Sequence, residues 1–379
     1  MKRALLALTG GLAALTLAFR PAPGPWITEE FPAGEARLLA VERIDAHTTW
    51  TAGFRTSTEG KRKVLHPVLF GREDSSHTWK RIPTPLDDTN IRINAIGSGP
   101  DGDAWLVGDA DVALRTIHTA RHDATGWKPV PVPLPESALS GGLLGVAAVD
   151  DDDAWAVGWT QPNGPLLTFQ GLIEHWDGTA WRQVAPPALD TDDWSLRAIT
   201  ANAPDDIWAA GTIGTPEGAR PLLLHYDGTS WTRHPAPELG SLSGEFTAMA
   251  SNGPNDVWAV GRVERGTNRT DHGLVAHFDG TRWSVVDAPV GQGRLYGVTA
   301  TRDTVAVVGA QNATKPIGAR LHYGRWQSLR LPEVGTQGTM PVGVVPTGRA
   351  LTIVGPAINA PTTGDEDGAI TLPFAIRGF

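Results

Sequence analysis

The sequence predicts an all-β protein, a seven-bladed β-propeller of four-stranded antiparallel blades whose ring is closed by an N-terminal strand completing the last blade. Three observations predict it. Two phrases recur with a period of about fifty residues. The composition, with 44 Gly, 30 Pro and 15 Trp in 379 residues, favours turns and flat aromatic packing over helices. The last repeat lacks a closing strand, and the N-terminus carries one.

The first phrase is DxWAVG. It ends at Gly108, Gly158, Gly211 and Gly261, with degenerate copies at Gly53, Gly309 and Gly355, so the glycines step by 55, 50, 53, 50, 48 and 46. The second is HxDGTxW, ending at Trp181, Trp231 and Trp283, with weaker forms at Trp79, Trp127 and Trp326. Each unit reads as four strands. An opening strand such as LRAITANA (196–203) passes through a Pro/Asp/Asn turn into the WAVG strand. A loop of variable length then leads to an alternating strand such as PLLLHY, and Asp227-Gly228 turns tightly into the Trp231 strand.

Residues 1–23 have a basic start, an apolar run from Ala4 to Phe19 and a Pro-broken end, the layout of a secretory signal; a short N-terminal anchor is the alternative. Residues 24–379 then form a single propeller domain. The seventh unit has strands near Val342–Val345, Leu351–Gly355 and Ala369–Phe379, and no fourth. GPWITEEFPAG (24–34) supplies it, with Trp26 standing where Trp79, Trp127, Trp181, Trp231, Trp283 and Trp326 stand elsewhere. Closing the ring this way leaves no long edge strand open.

The formal net charge of -9 and the lack of a basic stripe argue against nucleic acid as a partner. The absence of Cys removes disulfides, thiolate chemistry and Cys-bearing metal sites. The sixteen-residue apolar run is shorter than the ~20 residues that span a bilayer, so no membrane span is expected in the mature chain. His175, His225, His277 and His322 invite a metal, but neighbouring blades at ~4.8 Å per strand hold such residues far beyond the ~2.1 Å reach of zinc ligation. No metal and no cofactor is called for. The run Asp150–Asp153 lacks the register of a calcium loop and reads as a solvated turn.

The DGTxW turns resemble the Asp-box turn of sialidase-like propellers. From about residue 24 to 379 the pattern is similar to secreted bacterial seven-bladed propellers of the Kelch, galactose-oxidase-like kind. That resemblance implies the propeller fold without a single function, since such rings serve as lyases, hydrolases, lectins and scaffolds. Propellers of similar build are also lectin or adaptor parts of actinobacterial secreted toxin particles, and the excess of Arg over Lys with abundant Ala, Gly and Pro suits such a source. The copper and Cys–Tyr chemistry of galactose oxidase is ruled out by the absence of Cys.

What recurs at the period is architecture. This assigns Trp105, Trp155, Trp208 and Trp258, with Trp50, to one packing position, the seven fourth-strand indoles to another, and Trp176, Tyr226, Phe278 and Tyr323 to a third. Trp159 and Trp194 remain. Both are expected in loops of one face, where loops joining second to third strands and loops joining blades emerge together. With Asp190, Asp192 and Asp193 they form a candidate patch for a glycan or a secreted or cell-surface protein. The bland alternative is that Trp194 covers the core edge. Tyr296 with Arg262, Arg265 and Arg294 is a second group on the same face. These residues support a non-enzymatic binding or adaptor module, lectin-like or a subunit of a larger secreted complex. The alternative is a glycoside hydrolase or lyase with its site at the channel mouth, for which Glu238, Glu245, Glu264 and Asp271 are the carboxylate candidates.

Overall fold

The computed structural model describes residues 26–378 apart from 61, 101, 111–116, 165–167, 267, 269 and 361–368. The predicted leader, residues 1–23, lies outside them. Every described element is a strand. Blade I comprises Arg37–Arg43, Thr48–Glu59, Arg62–Glu73 and Lys80–Arg81, and blade II comprises Ile91–Ser98, Ala104–Ala110, Ile117–Asp123 and Gly126–Pro131. Blade III follows with Ala138–Asp150, Asp153–Pro162, Gln170–Trp176 and Trp181–Gln183, and blade IV with Trp194–Ala203, Asp206–Thr215, Gly218–Tyr226 and Trp231–His234. Gly244–Ser251, Val257–Arg265, Thr270–Phe278 and Trp283–Val285 make blade V, and Arg294–Thr301, Thr304–Gln311, Lys315–His322 and Arg325–Ser328 make blade VI. In blade VII the inner strand is split into Gly338–Thr339 and Gly343–Thr347, followed by Ala350–Asn359 and Ile370–Gly378.

The fourth strand of blade VII is Ile27–Glu29, antiparallel to Ile370–Gly378 with Ile27 opposite Arg377 and Glu29 opposite Ala375. Trp26 is buried among Ala306, Val308, Val344 and Phe374, as its counterparts are buried in theirs. The ring therefore closes through the N-terminal strand.

The recurring glycine has a steric cause. In blades I to VI the innermost strand carries a bulge opposite it, so that one residue (Leu39, Asn94, Leu144, Arg197, Thr247 or Tyr296) is left without a partner. The bulge brings a backbone carbonyl close to the second strand. A Cβ at Gly53, Gly108, Gly158, Gly211, Gly261 or Gly309 would lie 1.9–2.2 Å from the carbonyl oxygen of Arg37, Arg92, Gly142, Ser195, Glu245 or Arg294. Two bulge residues tie their blade to the next: Asn94 Nδ2 donates to the Leu143 carbonyl at 2.9 Å and Thr247 Oγ1 to the Leu295 carbonyl at 2.6 Å.

Blades are joined by indoles. The second-strand Trp of one blade meets the fourth-strand Trp of the next: Trp50 with Trp127, Trp105 with Trp181, Trp155 with Trp231, Trp208 with Trp283 and Trp258 with Trp326, at ring-centroid distances of 4.8–6.0 Å. Such pairs add about 0.5–1.5 kcal/mol each beyond the area they bury. The phrase's Asp anchors this packing. Asp206 Oδ1 accepts from Trp208 Nε1 at 3.0 Å and contacts His225 Nε2 at 2.9 Å, and Asp256 does the same for Trp258 and His277. His175 pairs with Asp153 and stacks on Trp155. These imidazoles are spent on the blades. In the DGT turns, Asp177, Asp227 and Asp279 each accept two backbone N–H groups; these hold the Asp227 and Asp279 carboxyls below the usual range, and the Thr179 hydroxyl and Arg182, with the backbone, do so for Asp177.

Blade VI departs from the sequence reading. Leu321 pairs with Trp326 as Trp176 pairs with Trp181, so Arg320, not His322, stands at the position of His175. Tyr323 is therefore not a packing aromatic. It sits in a two-residue turn with Gly324, both at positive φ, because His322 and Arg325 pair across it where Trp176 and Trp181 leave the four residues between them unpaired.

Candidate functional site

The two faces of the ring differ. The lower face carries the short turns between first and second and between third and fourth strands. The upper face carries the loops between second and third strands and the links between blades. On the upper face, the residue following each recurring glycine lies opposite the start of the innermost strand. These pairs are Phe54 with Arg37, Asp109 with Arg92, Trp159 with Gly142, Thr212 with Ser195, Arg262 with Glu245, and Ala310 with Arg294. Two of them, Asp109 with Arg92 and Arg262 with Glu245, are ion pairs of opposite order, and the other four differ from these and from one another. One step from the most uniform position of the repeat, the period breaks in every blade.

At blade III the break is aromatic. Trp159 lies in the second strand, Asp153–Pro162, rather than in a loop, and is half-buried. Phe169 stands edge-on to it at 5.2 Å and is 43% exposed. Trp194 is a correction to the expected patch: its ring lies where a side chain on Gly171 would be, and it is 6% exposed within the core between blades III and IV. It covers the core edge. Its backbone positions Phe169, since Trp194 N–H donates to the Phe169 carbonyl at 2.8 Å. Asp193 is exposed and its carboxylate accepts from Phe169 N–H at 3.4 Å, while its carbonyl accepts from Gly214 N–H at 2.7 Å. Asp192 is exposed beside it, and Asp190, almost wholly exposed, pairs with Arg233 at 3.2 Å.

At blades V and VI the break is ionic. Arg262 reaches Glu245 at 3.1 Å and Glu264 and Asp271 at 2.8 Å, and Arg294 reaches Glu245 at 3.2 Å. Tyr296, the bulge residue of blade VI, stands beside them at the end of the central channel. Burial pushes its hydroxyl up, against the pull of Arg294 and Arg37. Arg265 does not join this group: it ends the second strand of blade V and is exposed. Arg197, the bulge residue of blade IV, lines the channel.

The channel itself holds about 460 Å³ and is lined mostly by Ala, Val, Gly, Thr and Ser. Inside it Glu42 accepts from Ser98 Oγ at 2.9 Å, and burial pushes its carboxyl up to about 7.

The ionic group is poorly set up for acid–base work. Each of its carboxylates faces a guanidinium, the opposite of the apolar surroundings that keep a general acid protonated. Arg262 and Arg294 are taken up by acids and not left to grip a substrate carboxylate. The raised Tyr296 hydroxyl is a weak nucleophile. Among the described residues no three His, Asp or Glu side chains gather as a metal site, and no helix is long and apolar enough to cross a membrane. Phe169, Arg37 and Arg197 were missed in the sequence. Arg37 and Arg197 are found by their place relative to the recurring glycine and its bulge, which requires the strand register, and Phe169 only by its packing on Trp159.

No protein-family model matches the chain, and no curated protein matches it. Solved structures do. YCF48 bound to D1 peptide is similar with a TM-score of 0.57 and 16% identity, over 94% of this chain and 97% of that one. The polysaccharide lyase Uly1 follows at 0.52 and 12%, covering 92% of each chain. Aleuria aurantia lectin in complex with Fucalpha1-6GlcNAc reaches 0.45 and 12%, over 83% of this chain and 98% of that one. At these identities the likeness is one of fold. This chain is a seven-bladed β-propeller.

Proposed function

We propose that the protein is an exported, non-enzymatic binding or adaptor module that holds a glycan or a protein partner on its upper face. The observation that carries this reading is the Trp159–Phe169 pair, an edge-to-face aromatic ledge whose exposed member is fixed through its backbone to Asp193 and Trp194. Exposed rings with carboxylate acceptors beside them suit the C–H faces and hydroxyls of a sugar, or the anchor residue of a protein. A propeller similar in fold holds a peptide, which is compatible with this use of the ring. The leader predicts export, and the pairing of Glu245, Glu264 and Asp271 with guanidiniums at the mouth favours binding over the hydrolase or lyase alternative.

The test is capture of partners from culture supernatant together with a glycan array, using the parent chain and the double variant Trp159→Ala, Phe169→Ala. Binding should fall by roughly tenfold or more, as expected for removal of a packed aromatic anchor. Unchanged binding by a folded double variant removes the ledge from the site. Release of new reducing or unsaturated ends from polysaccharide by the parent chain would favour the catalytic alternative.

A further inference from the structure

Five of the seven blade interfaces are filled by a second-strand indole, and two are not. At the seam between blades VII and I the position holds Thr352. There a buried ion pair takes up the space: Arg72 lies over the Trp79 ring at 5.2 Å, donates to Thr352 Oγ1 at 3.2 Å and contacts Glu29 at 3.1 Å. Between blades VI and VII the position holds Ala306, and the facing position, filled by Trp176, Tyr226 or Phe278 elsewhere, holds Gly378. Among the described residues no buried ring lines the lower end of this interface. A cavity of about 730 Å³ opens there between the Thr301–Thr304 turn, the His322–Tyr323 turn and the Pro346–Leu351 turn.

Its lining is unlike the rest of an acidic chain. Arg302, Arg320 and Arg349 face it with one carboxylate, Asp303. None of the three guanidiniums makes a hydrogen bond or an ion pair with a described residue, in contrast to the saturated Arg262 and Arg72. Arg320 occupies the position at which His175, His225 and His277 stack on their indoles, so it points into the same gap. At the rim, Tyr323 is 84% exposed and held at φ 49°, a backbone region costly for a bulky side chain. The hairpin needs positive φ at that position, for which Asn or Gly is the ordinary choice. An exposed ring kept there at a conformational cost points to a role at the surface.

We propose that this cavity is an anion site for an acidic saccharide, with Arg302, Arg320 and Arg349 receiving a sulfate or carboxylate and the Tyr323 ring stacking on the pyranose face. Guanidiniums bind both oxyanions through paired N–H donors, and an exposed tyrosine offers a flat apolar surface with a polar tip. The site lies on the lower face and shares no residue with the Trp159–Phe169 ledge.

The experiment is calorimetric titration of the full chain with a chondroitin sulfate hexasaccharide, the desulfated hexasaccharide, neutral maltohexaose and inorganic sulfate. Either or both acidic hexasaccharides bind, their ranking separates sulfate from carboxylate as the recognised group, and maltohexaose does not bind. Arg320→Ala and Arg349→Ala each weaken that binding roughly tenfold, the usual loss for one charge-assisted contact. Tyr323→Gly, which suits the turn, weakens the saccharide but leaves inorganic sulfate unchanged. Refilling the gap with Thr304→Asp, Ala306→Trp and Arg320→His abolishes binding. Acidic-saccharide binding that is absent, matched by maltohexaose, no tighter than inorganic sulfate, or unchanged in folded Arg349→Ala overturns the proposal. Arg349 is an exposed turn residue, so its variant tests the site even if the refilled chain does not fold.

Discussion

The recurring glycines show how one missing atom fixes a blade. Their φ values are not left-handed, so conformational freedom does not explain them; close approach does. A Cβ on Gly158 would sit 1.9 Å from the Gly142 carbonyl oxygen, which is backbone and cannot swing aside. Gly158→Ala should therefore cost about 1–3 kcal/mol, as overpacking does. Gly164→Ala, with nothing within 4 Å of its added atom, should stay within about 0.5 kcal/mol in the same urea titration. Equal midpoints for the two would remove the steric account of the repeat. Another residue breaks the pattern in the opposite sense. Glu174 lies on the third strand of blade III, fully buried, with neither carboxylate oxygen hydrogen-bonded, where other blades place Phe70, Ala120, Leu224, Ala276 or Ile376. Replacing it with Met substitutes an apolar side chain of similar volume and should stabilise the chain by about 1–3 kcal/mol, the penalty for an unsatisfied buried polar group.

At the scale of elements, the closing strand was legible from residues alone because Trp26 repeats a position whose neighbours can be counted. The ions that lock it were not legible. Glu29, Arg72 and Arg377 are far apart in sequence and meet only when strands from both termini lie against blade I. Glu29 contacts Arg72 at 3.1 Å and Arg377 at 3.4 Å and accepts from Trp79 Nε1 at 2.9 Å. Burial pushes the Glu29 carboxyl up and the Arg72 guanidinium down, while their mutual attraction works against both shifts. Removing one partner leaves a buried charge unpaired, so Glu29→Ala should cost about 3–5 kcal/mol. Glu29→Met with Arg72→Met should recover much of that loss, and a thermal melt in which the double variant is no better than the single one would refute the pairing. The candidate site divides in the same way. Trp159 could be found by subtracting the repeat, but Trp194 also broke the repeat and went into the core, because its use depends on Gly171 leaving room for it. The cavity below blades VI and VII was hidden for a related reason. HYGRW looks like a shortened HxDGTxW, and only the strand pairing shows that Arg320 has taken the histidine's place.

For the whole ring, the inner channel and the blade interfaces hold carboxyls whose burial sets an unusual dependence on pH. Burial pushes Glu174 up to about 8 and Glu42 up to about 7, from an ordinary 4.5. In the unfolded chain both groups ionise near 4.5, whereas in the ring they keep their protons until pH 7 to 8. Between those limits the folded state binds more protons than the unfolded one, so stability is fully present below about 4.5 and is lost as pH rises toward 8. Each group contributes a slope of at most about 1.4 kcal/mol per pH unit. The turn aspartates act in the other direction. Asp177, Asp227 and Asp279 are held below 3.8 by backbone N–H groups or by those together with side-chain donors, so their contribution is present above that value and fades as pH falls below it. The two sets together place the thermal optimum near pH 4 to 5, acidic of the range where most folds are most stable. A series of melts from pH 3 to 9 should show Tm falling on both sides of that optimum. In Glu174→Met the decline on the alkaline side should become shallower while the acid limb is unchanged. A parent profile that is flat between pH 5 and 8, or a Glu174→Met profile parallel to it, would show that the interface carboxyl does not carry the proton this geometry assigns to it.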